Sequence, residues 1–368
     1  MRTLLLFDGL GGHQAGLIPA LRELFTHPAN QAYFQRVFST VDETLEYAGA
    51  DLVSAFLPAG LPLKQWLEPA RELSETDWSE SVLAGILVHA YQVCRLQPTE
   101  CGADPSVVAA LGHSIGLQAA VIAGLRIRRL DQFLAVASSS LKLVLLSLLR
   151  ARQLTATGQP DQAAVDRYLA TSSKARTPSP MASVTGLSRA DLEQLVAGYN
   201  ADAARQPISV SLANTPTAQV LSGTSADLLD LYFADFADSQ AQWAFLPNTI
   251  PFHSDQLGPA IQQVRDEDLD FIGPLPSPDD LAIPVYATDA PRNLQESTDL
   301  VDEYLEQVFV RPIHWETAAR HAISDAKAEL VVDCGPGAAA RRFTRECLGA
   351  DARTLRFESV QQFSRRVR

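Results

Sequence analysis

Short apolar strand patterns alternate with helical patterns along most of this chain. Residues 3–7 are an apolar run that ends in a glycine-rich turn, and residues 15–25 after it have the spacing of an amphipathic helix. Residues 105–111 form a second buried strand pattern, which leads directly into a helical pattern over 117–125. Parallel strands need long crossover connections, usually helices, so this alternation predicts an α/β fold built on a parallel sheet.

The middle of the chain departs from this pattern. Residues 155–178 are polar and contain several prolines, and residues 181–246 then follow the order strand, helix, strand, strand, helix, strand. That order is the split βαβ arrangement of a ferredoxin-like unit. We therefore predict an α/β-hydrolase-like large subdomain with a parallel sheet over 1–176 and 248–368, and an inserted ferredoxin-like α+β small subdomain over 177–247.

The composition excludes several classes of protein. The 368 residues include 30 Lys and Arg against 43 Asp and Glu, a net charge of −13, which disfavours binding to nucleic acid or to an anionic membrane. The apolar runs at the N-terminus and at 141–149 are too short for a signal peptide or a membrane span, so we expect a cytoplasmic protein. No C-x-x-C pair and no metal-ligand spacing occur among the cysteines, which are Cys94, Cys101, Cys334 and Cys347.

One motif points to catalysis. Residues 112–116 read Gly-His-Ser-Ile-Gly and lie between a buried strand and a helix, which is the context of a nucleophile elbow. A serine needs a base to be nucleophilic near neutral pH, and the chain has seven histidines. His253 is the leading candidate for that base, because it lies in a turn-prone segment next to the inserted unit, where pockets form. The alternative is a glycine-rich turn with a capping serine.

The remaining histidines have other interpretations. Those on helical patterns, His27, His89 and His321, are expected to be packed or at the surface. His113 precedes the serine and is interpreted first as structural, whereas His13 follows the first glycine turn and is placed at the pocket.

Several motifs recur in order along nearly the whole chain. Residues 7–11 stand where one family has F-P-G-Q-G, residues 112–116 match G-H-S-x-G, residues 214–220 resemble N-x-P-x-Q-V, residues 251–254 match P-F-H-S and residues 335–337 match G-P-G. The chain thus resembles the acyl-CoA:acyl-carrier-protein acyltransferases, the malonyl and acetyl transacylases. Residues 179–183, 209–214, 283–286 and 311–316 look most like the acyltransferase domains of type I fatty acid synthases.

The resemblance implies roles for particular residues. Ser114 would be the nucleophile and His253 the base, oriented by a backbone carbonyl near His314 instead of by a carboxylate. The backbone N–H groups of Leu10 and Ile115 would form the oxyanion hole, and Leu10 replaces the usual Gln. The implied substrate pocket comprises His13, His113, Ser139, Ser140 and Asn214.

The resemblance also implies the reaction. An acyl group would pass from CoA or a carrier, through an acyl-Ser intermediate, onto an acyl carrier protein in fatty acid or polyketide biosynthesis. Acyl-CoA and the phosphopantetheine carrier would be substrates, with no bound cofactor and no metal. We expect a discrete, trans-acting monomer, because no synthase or carrier sequence is attached, without nucleic acid or membrane as a partner.

An arginine is missing from the helix after the elbow. Family members that accept malonyl carry an Arg there to bind the free carboxylate, and residues 136–141 contain none. A carboxylate buried without a partner costs several kcal/mol, so we expect a monocarboxylic acyl group and not malonyl.

Three alternatives remain open. The first is an editing hydrolase of the same fold, in which water removes the acyl group from Ser114. The second is a non-catalytic carrier-docking protein, and the third is a generic α/β-hydrolase esterase with His321 as its base. Because carrier proteins are usually acidic, we also expect a basic cluster to flank the entrance to Ser114. The candidates are Arg126, Arg128 and Arg129, or the C-terminal set Arg341, Arg342, Arg365, Arg366 and Arg368.

Overall fold

The computed structural model describes residues 1–10, 16–68, 80–98, 104–155 and 160–367. Its strands are β1 Thr3–Phe7, β2 Val107–Gly112, β3 Met181–Thr185, β4 Ser209–Thr215, β5 Ala218–Ser222, β6 Gln242–Phe245, β7 Val285–Tyr286, β8 Ile313–His314, β9 Leu330–Asp333 and β10 Arg356–Ser359.

The helices alternate with these strands. The α-helices are α1 Leu17–Thr26, α2 Gln31–Ala48, α3 Ala50–Phe56, α4 Leu63–Leu67, α5 Ser81–Cys94, α6 Gly116–Leu125, α7 Leu130–Leu154, α8 Gln162–Leu169, α9 Arg189–Asn200, α10 Ser225–Leu231, α11 Gly258–Gln263, α12 Leu269–Ile272, α13 Leu300–Leu305, α14 Trp315–Ala326, α15 Ala339–Leu348 and α16 Val360–Val367. Wider π-helical turns span Tyr232–Phe236, Val264–Asp268 and Glu306–Val310. Short 3₁₀ helices span Pro28–Asn30, Asp255–Leu257, Pro278–Asp280, Leu294–Glu296 and Gly349–Thr354.

A parallel sheet of order β10-β9-β1-β2-β7 forms the centre of the larger part of the protein. Strand β1 is buried along its whole length, which explains why its sequence is almost continuously apolar instead of alternating. In register, Phe7 lies opposite Gly112 and Leu6 opposite Asp333, so the turns that follow β1, β2 and β9 meet at one edge of the sheet. The predicted α/β class with a parallel sheet is confirmed, and the carboxyl edge of such a sheet is where sites form.

A second sheet has the order β6-β3-β5-β4, with antiparallel neighbours throughout. Numbered within the unit, this order is 4-1-3-2, the split βαβ arrangement that the sequence predicts. Strand β8, from much later in the chain, extends the sheet in parallel beside β4. Val165 and Tyr168 of α8 also pack into the core of this sheet, although both lie outside 177–247. The subdomain boundaries themselves stay a prediction.

Helix α7 is the long core helix of the larger part. The apolar run at 141–149 belongs to this 25-residue helix, which by length and composition alone could cross a membrane. However, 61% of its most apolar window is buried inside the structure, and its leucines from Leu141 to Leu149 belong to the main hydrophobic core. This burial is typical of a core helix.

The turn from β2 into α6 depends on two glycines. A Cβ placed on Gly112 would lie 2.3 Å from the backbone carbon of Gly116, and a Cβ on Gly116 would lie 2.6 Å from the carbonyl oxygen of Asp8. Neither backbone can move without separating the helix from the strands. The glycines of the motif are therefore required by close packing at the start of α6.

We predict that Gly112→Ala lowers the free energy of unfolding by about 3 kcal/mol or more, because the added methyl group overlaps backbone atoms. Urea unfolding followed by circular dichroism measures the change. The matched control is Gly198→Ala in α9, where nothing lies within 4 Å of the new Cβ and removal of a helical glycine stabilises the protein by up to about 1 kcal/mol. Equal effects of the two substitutions would contradict the close packing at Gly112.

Candidate active site

Ser114 and His253 meet at the carboxyl edge of the parallel sheet. Ser114 lies in the turn between β2 and α6, and His253 lies in the loop after β6. The Ser114 Oγ atom is 2.9 Å from Nε2 of His253. Both residues have left-handed backbones, with φ of 53° and 59°. Such conformations cost about 1–3 kcal/mol each in residues other than glycine and concentrate at functional sites.

The other ring nitrogen of His253 fixes the tautomer. Nδ1 lies 2.9 Å from the backbone carbonyl oxygen of Arg311. A carbonyl oxygen can only accept, so Nδ1 carries the hydrogen and Nε2 presents its lone pair to the Ser114 hydroxyl. This arrangement can remove the proton from the serine, and it uses no carboxylate in direct contact with the histidine.

The expectation that His314 supplies this carbonyl is wrong. His314 lies in β8, its N–H donates to the carbonyl of Thr288, and its Nδ1 accepts from the Arg189 guanidinium at 2.8 Å. Burial and the neighbouring Arg189 lower the pKa of His314. At His314 the chain has already entered strand β8 of the small sheet. The carbonyl that faces His253 therefore belongs to Arg311, three residues earlier.

Sequence reasoning missed Arg311, although one signal marks it. Arg311 precedes Pro312, and a residue before proline is held extended; here its ψ is 141°. Because proline has no N–H, the peptide beyond Arg311 cannot continue the helix, and the Arg311 carbonyl is free to turn towards the site. The same turn directs the carbonyl of Phe309 to the N–H of Ser254, at 2.9 Å.

Burial keeps His253 neutral. The residue is 1% exposed, and this desolvation lowers the pKa of His253 to about 4, while the hydrogen bond to Arg311 acts in the opposite direction. A smaller effect, which also lowers the pKa, comes from His113. The His253 imidazole is therefore unprotonated over the whole neutral range.

His113 and Asn214 form a buried bridge between the two sheets. Nε2 of His113 lies 2.8 Å from Oδ1 of Asn214, and the imidazole ring packs 4.9 Å from the ring of Trp315. Burial lowers the pKa of His113 to about 4. The contact joins the end of β2 to β4 directly beside Ser114. Both side chains are thus paired with each other, and their role as pocket walls stays a prediction.

The other predicted pocket residues have different outcomes. Ser140 is fully buried, and its hydroxyl lies 3.1 Å from Nε2 of His89, so we correct its assignment: it packs helix α7 against α5. Ser139, beside it, is half-buried. His13 lies outside the described residues.

Of the two predicted oxyanion donors, Ile115 directly follows the serine in sequence. Ile115 is the N-cap residue of α6, where the helix dipole favours negative charge. Leu10 is buried in the segment that follows β1. Their assignment as donors stays a prediction.

Two buried acids anchor the segment before Leu10. The Asp8 carboxylate accepts the N–H of Ala340 at 2.7 Å, and burial raises the pKa of Asp8. Burial, and then the neighbouring Asp8, raise the pKa of Asp333 to about 7. The Gln92 side-chain amide donates to the carbonyls of both Asp8 and Gly335, at 2.8 Å each. Turns after β1 and β9 are thereby joined at the rim of the site.

Within the described ranges, no group of three or more His, Cys, Asp or Glu side chains is placed to hold a metal ion. The side chains that meet at the end of β2 are a serine hydroxyl and a neutral imidazole. This pair suits nucleophilic attack assisted by a general base.

Comparison with known proteins gives a consistent set of relatives. A family described as "Starter unit:ACP transacylase in aflatoxin biosynthesis" matches residues 8–253. The fatty acid synthase beta subunit TOXC of Cochliobolus carbonum is 30% identical over 182 residues, which cover 44% of this chain. The match spans only 8% of the length of that relative.

Solved structures show the same fold. An acyl-carrier-protein S-malonyltransferase from Burkholderia pseudomallei 1710b has a TM-score of 0.63 at 20% identity, covering 98% of this chain and 96% of its own. A malonyl CoA-acyl carrier protein transacylase from Clostridium perfringens gives 0.64 at 16%, covering 100% and 96%. The acyltransferase domain from the second module of the salinomycin polyketide synthase gives 0.62 at 19%, covering 97% and 68%.

We predict that Ser114 stays reactive down to an unusually low pH. A fluorophosphonate that labels nucleophilic serines should react at a constant rate from about pH 8 to about pH 5, and the rate should fall with a midpoint near pH 4, because only neutral His253 accepts the proton. Mass spectrometry of the labelled protein measures the rate. His253→Gln should lower it by about 100-fold or more and abolish this pH dependence. A midpoint near 6.5 would show a solvated histidine and contradict the buried geometry.

Proposed function

The chain belongs to the starter unit:ACP transacylase family, and we propose that it transfers a monocarboxylic acyl group from CoA or a carrier to an acyl carrier protein, in fatty acid or polyketide biosynthesis. It is an acyltransferase of the carrier-protein transacylase type. The observation that carries the finer proposal is the hydrogen-bonded series from Ser114 through His253 to the Arg311 carbonyl, at the carboxyl edge of the sheet.

The first half-reaction follows from this geometry. Ser114 Oγ attacks the thioester carbonyl carbon while its proton passes to Nε2 of His253. The Arg311 carbonyl stabilises the resulting imidazolium through Nδ1–H. Negative charge on the carbonyl oxygen is held by the N–H of Ile115 at the start of α6, with Leu10 as the second donor that the resemblance implies. Collapse breaks the C–S bond, and the CoA sulfur takes the proton from His253.

The second half-reaction reverses these roles. The phosphopantetheine thiol of the carrier gives its proton to Nε2 of His253 and attacks the ester carbonyl. The C–O bond to Ser114 breaks, and His253 returns the proton to Oγ. A hydrolase differs only in admitting water in place of the thiol.

The basic residues of α7 support a monocarboxylic acyl group. All three of them already pair with acids, so none stands ready for a substrate carboxylate. The pairs are Arg150 with Asp268 at 2.8 Å, Arg152 with Glu80 at 3.3 Å and Lys142 with Glu43 at 3.6 Å. Arg150 binds fully buried Asp268 through two hydrogen bonds and is the most firmly held.

We predict that acetyl and longer unbranched acyl-CoAs acylate Ser114 at least about tenfold faster than malonyl-CoA, because a malonyl carboxylate would meet no free cation on α7, a helix that the structure describes in full. Intact-mass spectrometry at equal acyl-CoA concentrations measures the rates, with Ser114→Ala as the blank. Ser139→Arg should raise the malonyl rate relative to acetyl, since it restores a cation to this stretch of α7. Faster malonyl transfer by the unchanged protein would overturn the proposal.

The same acylated protein distinguishes transferase from hydrolase. Loss of the acyl group only after addition of holo-carrier, with the acyl group recovered on the carrier, is the expected result. Equal loss in buffer alone would identify the editing hydrolase instead.

A basic surface lies on α15, near the nucleophile. The Phe343 ring is 5.9 Å from the ring of His113, and its neighbours Arg342 and Arg345 are exposed. The alternative cluster at 126–129 begins at the C-terminal end of α6, about 15 Å along that helix from Ser114. We therefore assign the carrier contact to α15, where positive charge can meet an acidic carrier.

We predict that Arg342→Glu with Arg345→Glu raises the KM for holo-carrier about tenfold at low salt, with little change in kcat and a smaller effect at high salt. Transfer from acylated protein to carrier is the assay. Arg128→Glu with Arg129→Glu changes the net charge equally and should leave the KM unchanged. Equal effects of the two pairs of substitutions on this KM would exclude a local docking surface. A lower rate of acylation by acyl-CoA, with unchanged transfer to the carrier, would assign α15 to the CoA phosphates.

A further inference from the structure

A network of ion pairs lies behind the loop that holds His253. The Arg292 guanidinium binds both carboxylate oxygens of Glu303, at 2.6 Å each, and binds Asp289 at 3.1 Å. The Arg311 guanidinium binds the same Asp289 at 3.0 Å and lies 3.5 Å from Glu303. The side chains of Asp289 and Glu303 are only 14% and 13% exposed, so these ion pairs are more firmly held than pairs at an open surface.

Gln307 connects this network to two backbone segments. Its side-chain amide donates to Glu303 at 2.9 Å, and its Oε1 accepts the N–H of Thr288 at 2.8 Å. The carbonyl of Thr288 in turn accepts the N–H of His314. The segment after β7, helix α13 with its π-helical turn, and the start of β8 are thus held together around Arg311.

The π-helical turn Glu306–Val310 directs carbonyls at the histidine loop. The Arg311 N–H closes the turn on the carbonyl of Glu306 at 2.7 Å. The carbonyls of Phe309 and Arg311 then accept from the neighbouring residues Ser254 and His253. Such wide turns are often found at functional sites, because they change the direction of backbone groups within a helix.

We propose that Asp289 and Glu303 are positioning residues, which act on the reaction by holding Arg311 so that its carbonyl keeps the His253 ring directed at Ser114. This inference rests on the proposed role of His253 as base. Neither acid touches Ser114, His253 or the acyl group. They act through the Arg311 side chain, which is 40% exposed and whose one further acidic neighbour, Glu306, lies at the longer distance of 3.9 Å.

Removal of the two charges should therefore impair the base without removing it. With the left-handed backbone of His253 already strained, the ring depends on its two hydrogen bonds for orientation. Loss of a well-oriented base lowers rates steeply, since proton transfer requires alignment within a fraction of an ångström. The binding surface for substrate stays unchanged, because the acids lie behind the histidine.

The test combines kinetics with a spectroscopic signal from His253. We expect Asp289→Asn with Glu303→Gln to lower the rate of Ser114 labelling by a fluorophosphonate about tenfold at neutral pH. In acyl transfer, kcat should fall with little change in KM. The proton on Nδ1 of His253, assigned by its loss in His253→Gln, should exchange faster with water in the variant. Asp289→Glu retains the charge and should restore much of the rate.

The control is Asp268→Asn. This substitution removes another buried acid, which pairs with Arg150 through two hydrogen bonds and makes none with Arg311 or His253. It should lower the melting temperature while leaving the labelling rate and the Nδ1–H signal unchanged. If the double variant fails to fold, Asp289→Asn alone is compared with Asp268→Asn at matched loss of melting temperature.

Two results are decisive. A folded Asp289→Asn, Glu303→Gln variant with the wild-type labelling rate and wild-type Nδ1–H exchange would overturn the inference, and so would equal losses in the Asp268→Asn control. Failure of the proposed function has a different signature: His253→Gln would then label as fast as the unchanged protein, or the unchanged protein would not be acylated by any acyl-CoA.

Discussion

The hydrogen bond between Ser114 and His253 requires both residues to hold left-handed backbones, and the surrounding structure supplies the stabilisation for each. On the serine side, Gly112 and Gly116 let α6 start against the strands. On the histidine side, Ser222 of β5 donates to the carbonyl of Phe252, and Phe309 accepts the N–H of Ser254, so the residues before and after His253 are both fixed. Each half of the site therefore depends on a different part of the fold.

The group that bonds Nδ1 of His253 affects both the orientation of the ring and its pKa. A carboxylate in direct contact would stabilise the protonated ring and raise its pKa. A backbone carbonyl orients the ring with a weaker effect, so burial dominates and the pKa of His253 is lowered to about 4. The acids Asp289 and Glu303 stand one step further back and act on Arg311 instead. This arrangement keeps His253 neutral and oriented at the same time.

The sequence predicted those elements whose periodicity and turn residues lie within one short segment. The strand, turn and helix around Ser114 and the split βαβ order of the small sheet follow from periodicity and turn residues. The residue whose carbonyl orients His253 could not be predicted in this way, because it depends on where a π-helical turn ends in space. In the sequence, only Pro312 marks that position. Strand β8 was missed for a similar reason: two residues carry no periodic pattern, and pairing with β4 alone makes them a strand.

Neutral polar pairs join the helices that pack beside the elbow. Helix α5 packs against Ile115 at Gly85. One turn later, His89 of α5 forms a hydrogen bond with Ser140 of α7. Ser138 of α7 forms another with Thr40 of α2. Burial lowers the pKa of His89 to about 3, so this histidine stays neutral as well. These contacts form without a substrate, whereas a buried carboxylate would need a cation, and the cations of α7 already pair with acids. The proposed selection against a second carboxyl group thus requires no repulsive charge, because the cost of desolvating a carboxylate would exclude it.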